Sequence, residues 1–136
     1  MHPSSRFKFR IAKSSIDGLG LYALENIPGR RKIGEMTGEI ISVQKGIELS
    51  KLSQRLFIVE FDTRRALHGT DTTCEMRYIN HSCSPNTYVR VIYPRVEFYS
   101  LRPLKKGEEL TANYGETHHE GKLPCKCGQP GCKGFL

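Results

Sequence analysis

Arg77-Tyr78-Ile79-Asn80-His81-Ser82-Cys83-Ser84-Pro85-Asn86 packs an imidazole, a thiol and two amides into ten residues. Pro85 has no backbone N–H to donate and stops any helix there. Loops of this length are ordinarily built from Gly, Ser and Asp, whereas this one is dense in groups that bind. Taken alone, Asn-His-Ser-Cys is a turn with one buried thiol. Its meaning depends on what lies far from it in the chain.

Two distant stretches matter. Gly18-Leu19-Gly20 lies near the start, where residues without Cβ let the backbone come close to a ligand. It lacks the third glycine and the βαβ setting of a dinucleotide fingerprint, so that class of ligand is excluded. Gly107-Glu108-Glu109-Leu110-Thr111-Ala112-Asn113-Tyr114-Gly115 lies near the end. Beyond it, Cys125-Lys126-Cys127-Gly128-Gln129-Pro130-Gly131-Cys132 is a C-x-C-x4-C run, with glycines and a proline to fold around an ion. A structural zinc takes four ligands and this run supplies three. On spacing alone Cys74, Cys83, His118 or His119 could complete it.

The chain has 136 residues, enough for one core and not for two. A hydrophobic fraction of 38% with mean hydropathy −0.46 describes an ordinary globule and argues against disorder. No apolar run approaches the ~20 residues of a membrane helix. Met1-His2-Pro3-Ser4-Ser5 lacks an apolar segment, which argues against a secretory signal and for an intracellular setting, cytoplasmic or nuclear. Five cysteines, an odd number with three in the last twelve residues, suit metal better than a disulfide framework. The net charge of +7 is spread out rather than blocked. Direct nucleic-acid binding is not indicated, because the sequence shows neither a recognition-helix pattern nor aromatic residues interleaved with clustered Arg and Lys.

The periodicity predicts many short strands. Arg6 to Ile11 alternates charge and apolar side chain, and Leu21–Leu24 is a second short strand. Ile33 to Ile41 is extended, with breaks at Gly34 and Gly38. Gln44 to Arg55 places Ile47, Leu49, Leu52 and Leu56 at helical spacing and predicts a short amphipathic helix. Leu56 to Asp62 predicts a buried strand, with Ala66–His68 as its hairpin partner. Thr87–Ile92 and Val96–Leu101 predict a hairpin about Tyr93-Pro94-Arg95, and Leu110–Tyr114 a last strand. The fold class is mostly β, in several small sheets.

The three stretches, in this order and followed by the cysteines, resemble the SET-domain protein-lysine methyltransferase family from about Lys8 to Leu136. The resemblance implies a SET-type β-clip fold with a knot-like C-terminal threading. It places a SET domain at residues 1–117, with a short variable insert at about 44–55, and a post-SET zinc tail at 118–136. It implies S-adenosylmethionine (AdoMet) as cofactor, held by Gly18, Leu19, Gly20, Asn80 and His81, and a catalytic Tyr114. It also selects Cys83 to join Cys125, Cys127 and Cys132 on zinc. The partner implied is a protein presenting a lysine: a histone, a histone-like protein or another basic protein.

The sequence departs from the family at three places. Met36 replaces the tyrosine of Gly-Glu-Tyr-x-Gly-Glu, Asn113 replaces an aspartate, and Ala112 replaces a bulky aromatic that helps set how many methyl groups are added. Met36 and Ala112 favour the alternative of a non-catalytic, zinc-stapled module that binds a protein tail. Tyr114 and the cofactor and zinc motifs are kept, which favours an enzyme. Metal analysis of purified protein is expected to find one zinc per chain, and Cys132→Ser should loosen the tail and weaken activity while the β core stays folded.

Overall fold

The computed structural model describes residues 6–16, 18–52, 58–70 and 73–113. In chain order its elements are β1 (Phe9–Lys13), β2 (Leu19–Ala23), β3 (Lys32–Glu35), β4 (Glu39–Ser42), α1 (Val43–Ser50), β5 (Ile58–Glu60), β6 (Arg65–His68), a 3₁₀ turn (Glu75–Tyr78), β7 (Asn80–His81), β8 (Thr87–Ile92), β9 (Arg95–Ser100) and β10 (Thr111–Ala112). The strands form four small sheets: β1-β2, β3-β9-β8, β4-β6-β5 and the two-residue pair β10-β7. No helix among the described residues is long and apolar enough to cross a membrane.

The alternating pattern at the start becomes an antiparallel ribbon running from Phe9↔Ala23 to Lys13↔Leu19. Phe9, Leu21 and Ala23 are buried, and Arg10 and Lys13 stay in water. The β8-β9 hairpin pairs in register from Thr87↔Ser100 to Ile92↔Arg95 about the predicted turn. β3 lies on the other side of β9, so the sheet closes over Val96 and Phe98, which are 0% and 3% exposed. Ile27, Ile33, Met76, Ile79, Leu104 and Leu110 complete the core, all at 1% exposure or less. Burying an aliphatic side chain of this size stabilises by about 1.5–3 kcal/mol, so this cluster carries most of the fold's stability.

The third sheet needs a glycine. A Cβ on Gly38 would overlap the carbonyl oxygen of His68 and stand 2.9 Å from the Gly69 Cα. Only a bare backbone lets the entry to β4 pass the end of β6. Ser42 then caps α1 by accepting the Lys45 N–H at 3.1 Å.

Two expectations are corrected. The helix predicted from Gln44 to Arg55 is α1, which starts at Val43 and ends at Ser50; residues 53–57 lie outside those described. Leu52 N–H bonds Leu49 O at 3.0 Å, an i→i−3 contact that tightens and closes the last turn. Leu52 therefore leaves the apolar stripe and is 82% exposed. The strand predicted as buried over Leu56–Asp62 is described only at Ile58–Glu60, with Ile58 and Val59 half-buried. It is an edge strand paired only to β6, so one long side faces away from the sheet.

The outer face of β3-β9-β8 holds the principal charge pair. Lys32 Nζ reaches Glu35 at 2.8 Å and Glu97 at 2.9 Å. Glu97 is 5% exposed, and the Lys32 ammonium holds its carboxyl below the usual 4.5. Bonds to Glu35 and then Glu97 hold Lys32 above the usual 10.5. Beside them, the Tyr88 and Tyr99 rings stack at 5.3 Å and 14°, and the Arg30 guanidinium stands 5.7 Å over Tyr88.

A lowered carboxylate value stabilises the fold above the unfolded value near 4.5, and that contribution is lost as pH falls through the lowered value. A raised lysine value contributes below 10.5 and is lost above the raised value. Glu97→Gln is expected to cost about 1 kcal/mol at neutral pH and to converge with the parent in acid. Chemical denaturation across pH checks this; a parallel offset persisting well below pH 4.5 would count against the charge pair.

Candidate active site

The site is organised by the shortest sheet in the molecule. β7 and β10 run parallel, with Asn80 opposite Thr111 and His81 opposite Ala112. Ser82 N–H extends the ladder to Ala112 O at 3.0 Å. Two residues a side make a weak pair, and Asn86 reinforces it. Its Nδ2 donates to Glu109 O at 2.9 Å, and its Oδ1 accepts the Thr111 N–H at 2.8 Å. One side-chain amide thus copies what a neighbouring strand would offer. Thr87 Oγ1 donates to Thr111 O at 2.6 Å. Asn86, Thr87 and Thr111 are 7%, 0% and 8% exposed, so these bonds are made out of water, where an unmade one would be costly.

Asn80 ties this pair to the glycine loop. Its Nδ2 lies 3.0 Å from Leu19 O, 3.1 Å from Ser14 Oγ and 3.1 Å from Glu109 Oε2. Ser14 Oγ donates to the same carboxylate oxygen at 2.6 Å, and Tyr22 OH reaches the other at 3.3 Å. Burial, then the Glu109 charge, pushes the Tyr22 hydroxyl above its usual 10.0, so it stays a protonated donor. A Cβ on Gly20 would run into the Glu109 carboxylate, so any side chain there would push that group out of the junction. Gly18 stands at φ 48, a left-handed conformation that turns the loop.

Gly18, Leu19 and Gly20 therefore meet Asn80, with His81 next to it on β7 and Gly18 and Leu19 exposed at the surface. His81 is 8% exposed, and its Nε2 lies 3.6 Å from Cys83 Sγ, which brings that thiol to the same place. Cys74 is separate, fully buried with its thiol on Glu35 O at 3.3 Å, as expected of a structural cysteine. Tyr114, Cys125, Cys127, Cys132, His118 and His119 lie outside the described residues, and so does the end of the strand predicted over Leu110–Tyr114. Among the described residues no group of three or more His, Cys, Asp or Glu is placed to hold a metal.

Ala112 is 1% exposed and Met36 6%, both within the core. Tyr93, a residue that could fill space near Ala112, is 45% exposed and engaged by Phe61 at 5.1 Å and the Arg65 guanidinium at 3.7 Å. Tyr78 is half-buried against the core. Sequence reasoning missed Ser14, Tyr22 and Glu109 as the fasteners of the loop. Their only sequence signal is that they sit in or beside the two flanking stretches.

Residues 18–115 match the family described as SET domain. The chain belongs to the SET-domain family. A histone-lysine N-methyltransferase, set-2, of Caenorhabditis elegans is 34% identical over 97% of this chain and 10% of its own length. A histone-lysine N-methyltransferase, H3 lysine-4 specific, of Aspergillus oryzae is 35% identical over 93% of this chain and 11% of its own. Its counterpart in Saccharomyces cerevisiae is 36% identical over 92% and 13%. This SET domain spans about a tenth of the length of the curated relatives it matches.

Glu109→Gln keeps the size of the side chain and an oxygen for Ser14 and Asn80, but removes the charge from these bonds and sets an amide nitrogen against the Tyr22 hydroxyl. It is expected to lower stability by about 1.5–3 kcal/mol, the range for bonds to a charged group. Ser14→Ala should cost less. Urea denaturation of both variants checks the order.

Proposed function

We propose that this SET domain is the catalytic module of an AdoMet-dependent protein-lysine methyltransferase acting on a histone, and that lysine-4 of histone H3 is its first candidate target. The observation that carries this reading is the Asn80 amide. It fastens the glycine loop to Glu109, on the stretch that precedes Tyr114 in sequence, which supports a small-molecule site at that loop. The names of the relatives, histone-lysine N-methyltransferase and H3 lysine-4 specific, support the substrate class. A nuclear location follows from a histone substrate.

The residues fit the cofactor. Gly18 and Leu19 offer exposed main chain, Asn80 an amide and His81 an imidazole, a set suited to a charged, amino-acid-bearing nucleoside. AdoMet, when bound, supplies a methyl group carried on sulfonium. The loop and Asn80 hold it in one orientation, and the Glu109 carboxylate keeps that loop in place. Tyr114 directs the incoming lysine nitrogen by hydrogen bonding, which contributes through alignment. Withdrawal of the lysine from water lowers its pKa toward the neutral, attacking form.

The donor set also fits zinc. Of the two described thiols, Cys83 is half-buried beside His81 and Cys74 is sealed in the core, which supports Cys83 as the ligand joining Cys125, Cys127 and Cys132. In this reading residues 118–136 are a post-SET tail tied over the site, the chain passes in a knot-like threading after β10, and 44–55 is the short insert. Packing accounts for Met36 and Ala112, the two residues that favour a non-catalytic module.

Calorimetry with AdoMet followed by mass spectrometry of H3 peptide and whole histones tests the reading. Tyr114→Phe should lose roughly 10²-fold or more in transfer while AdoMet affinity is nearly unchanged. With alanine at 112, products beyond monomethyl-lysine are expected. Specific AdoMet binding without any transfer would establish the tail-binding module instead.

A further inference from the structure

We propose that this chain carries a binding surface for the phosphate backbone of duplex DNA, made by Arg30, Arg31, Arg102, Lys105 and Lys106. The surface is separate from the cofactor site, and the proposal does not depend on the catalytic reading.

Segments 26–32 and 100–106 are far apart in sequence and fastened side by side. Ile27 and Leu104 exchange backbone bonds at 2.9 and 2.8 Å, and Lys106 N–H reaches Asn26 Oδ1 at 3.0 Å. Ser100 is the hub: its O accepts the Arg30 N–H and its N–H donates to Arg31 O, both at 2.9 Å. Its Oγ accepts the Arg31 N–H at 3.0 Å and donates to Pro28 O at 2.6 Å. A Cβ on Gly29 would stand 3.1 Å from Pro103 N, so the two segments touch. All five cationic residues are exposed on this joined ridge.

Arg30 is placed with care. It sits at φ 59, a left-handed conformation unfavourable for any residue but glycine, and its guanidinium stands over Tyr88. A guanidinium held on a ring keeps its in-plane N–H donors pointing outward, and phosphate oxygens match them. Four carboxylates lie nearby and all are engaged: Glu108 pairs with Arg102 at 2.9 Å, Glu25 accepts the Lys8 N–H at 2.9 Å, and Glu35 and Glu97 hold Lys32 at 2.8 and 2.9 Å. Among the described residues no acid pairs with Arg30, Arg31, Lys105 or Lys106.

The chemistry selects the occupant. Large exposed hydrophobic residues are absent from 26–32 and 100–107, so the ridge lacks the apolar anchor of a protein interface. A basic, polar surface is what a nucleic-acid backbone takes. Tyr88 and Tyr99 spend ring faces on each other and on Arg30, which disfavours base stacking and points to duplex rather than single strand. The Arg30-on-tyrosine arrangement is not legible in the sequence. It forms only when β8, β9 and the lead into β3 come together.

The test is fluorescence anisotropy of the full chain with a random-sequence duplex. Each phosphate contact steepens the log K against log salt slope by ~0.9, so five contacts mean a roughly 500-fold loss between about 50 and 200 mM salt. Arg31→Ala/Lys106→Ala should reduce that loss to roughly 40-fold and weaken binding at low salt. Lys45→Ala/Lys51→Ala removes the same charge from α1 and the residue after it and should change nothing. Arg30→Gly should weaken binding while thermal stability is kept, because glycine relaxes the backbone as the guanidinium is lost. An equal loss in the α1 pair, no binding at about 50 mM salt, unchanged binding by the ridge variants, or tighter binding of a single strand of equal length would each overturn the proposal.

Discussion

Three acceptor oxygens crowd around the Asn80 side-chain nitrogen, which has two hydrogens to give. They belong to Leu19, Ser14 and Glu109, so a single amide is where the start, middle and end of the chain meet. The Glu109 carboxylate does the complementary job, accepting from Ser14, Asn80 and Tyr22. Charge-assisted bonds of this kind are about twice as strong as neutral ones, and partial burial keeps solvent from screening them. Without this junction the glycine loop would be an exposed turn and β7-β10 an isolated pair of two-residue strands.

The core and the junction are separable in their physics. Leu21, Ile33, Val96 and Leu110 hold the small sheets together by burial, which is tolerant of exact shape. The polar junction is intolerant, since moving one partner leaves two others with partly buried, unmade bonds. Stability therefore comes from the sheets, and the precision of the site from a handful of oxygens and one amide.

How far the sequence could be read follows the same division. The β8-β9 hairpin was legible because alternation and the Tyr93-Pro94 turn are local, and β1-β2 for the same reason. The meeting of Gly18–Gly20 with Asn80 was legible through resemblance. The parallel pairing of Asn80 with Thr111 was not, because no local periodicity reports which two-residue strand joins which. Glu109 read as one of two adjacent acids, and only the fold shows that it faces inward on Ser14. The length of α1 and the edge position of β5 were misjudged because apolar spacing cannot show where a helix closes or which side of a strand stays open.

The junction has a consequence for how the molecule is made. Ser14 and Glu109 stand 95 residues apart in the chain. At ordinary rates of synthesis roughly 5–20 seconds pass between the two leaving the ribosome. Through that interval Ser14 and the glycine loop have no carboxylate to settle on, while the ribbon they belong to is already complete. The junction thus arrives in a single late step, once Glu109 has been added. A chain stopped before Glu109 would keep its hairpins and have no site.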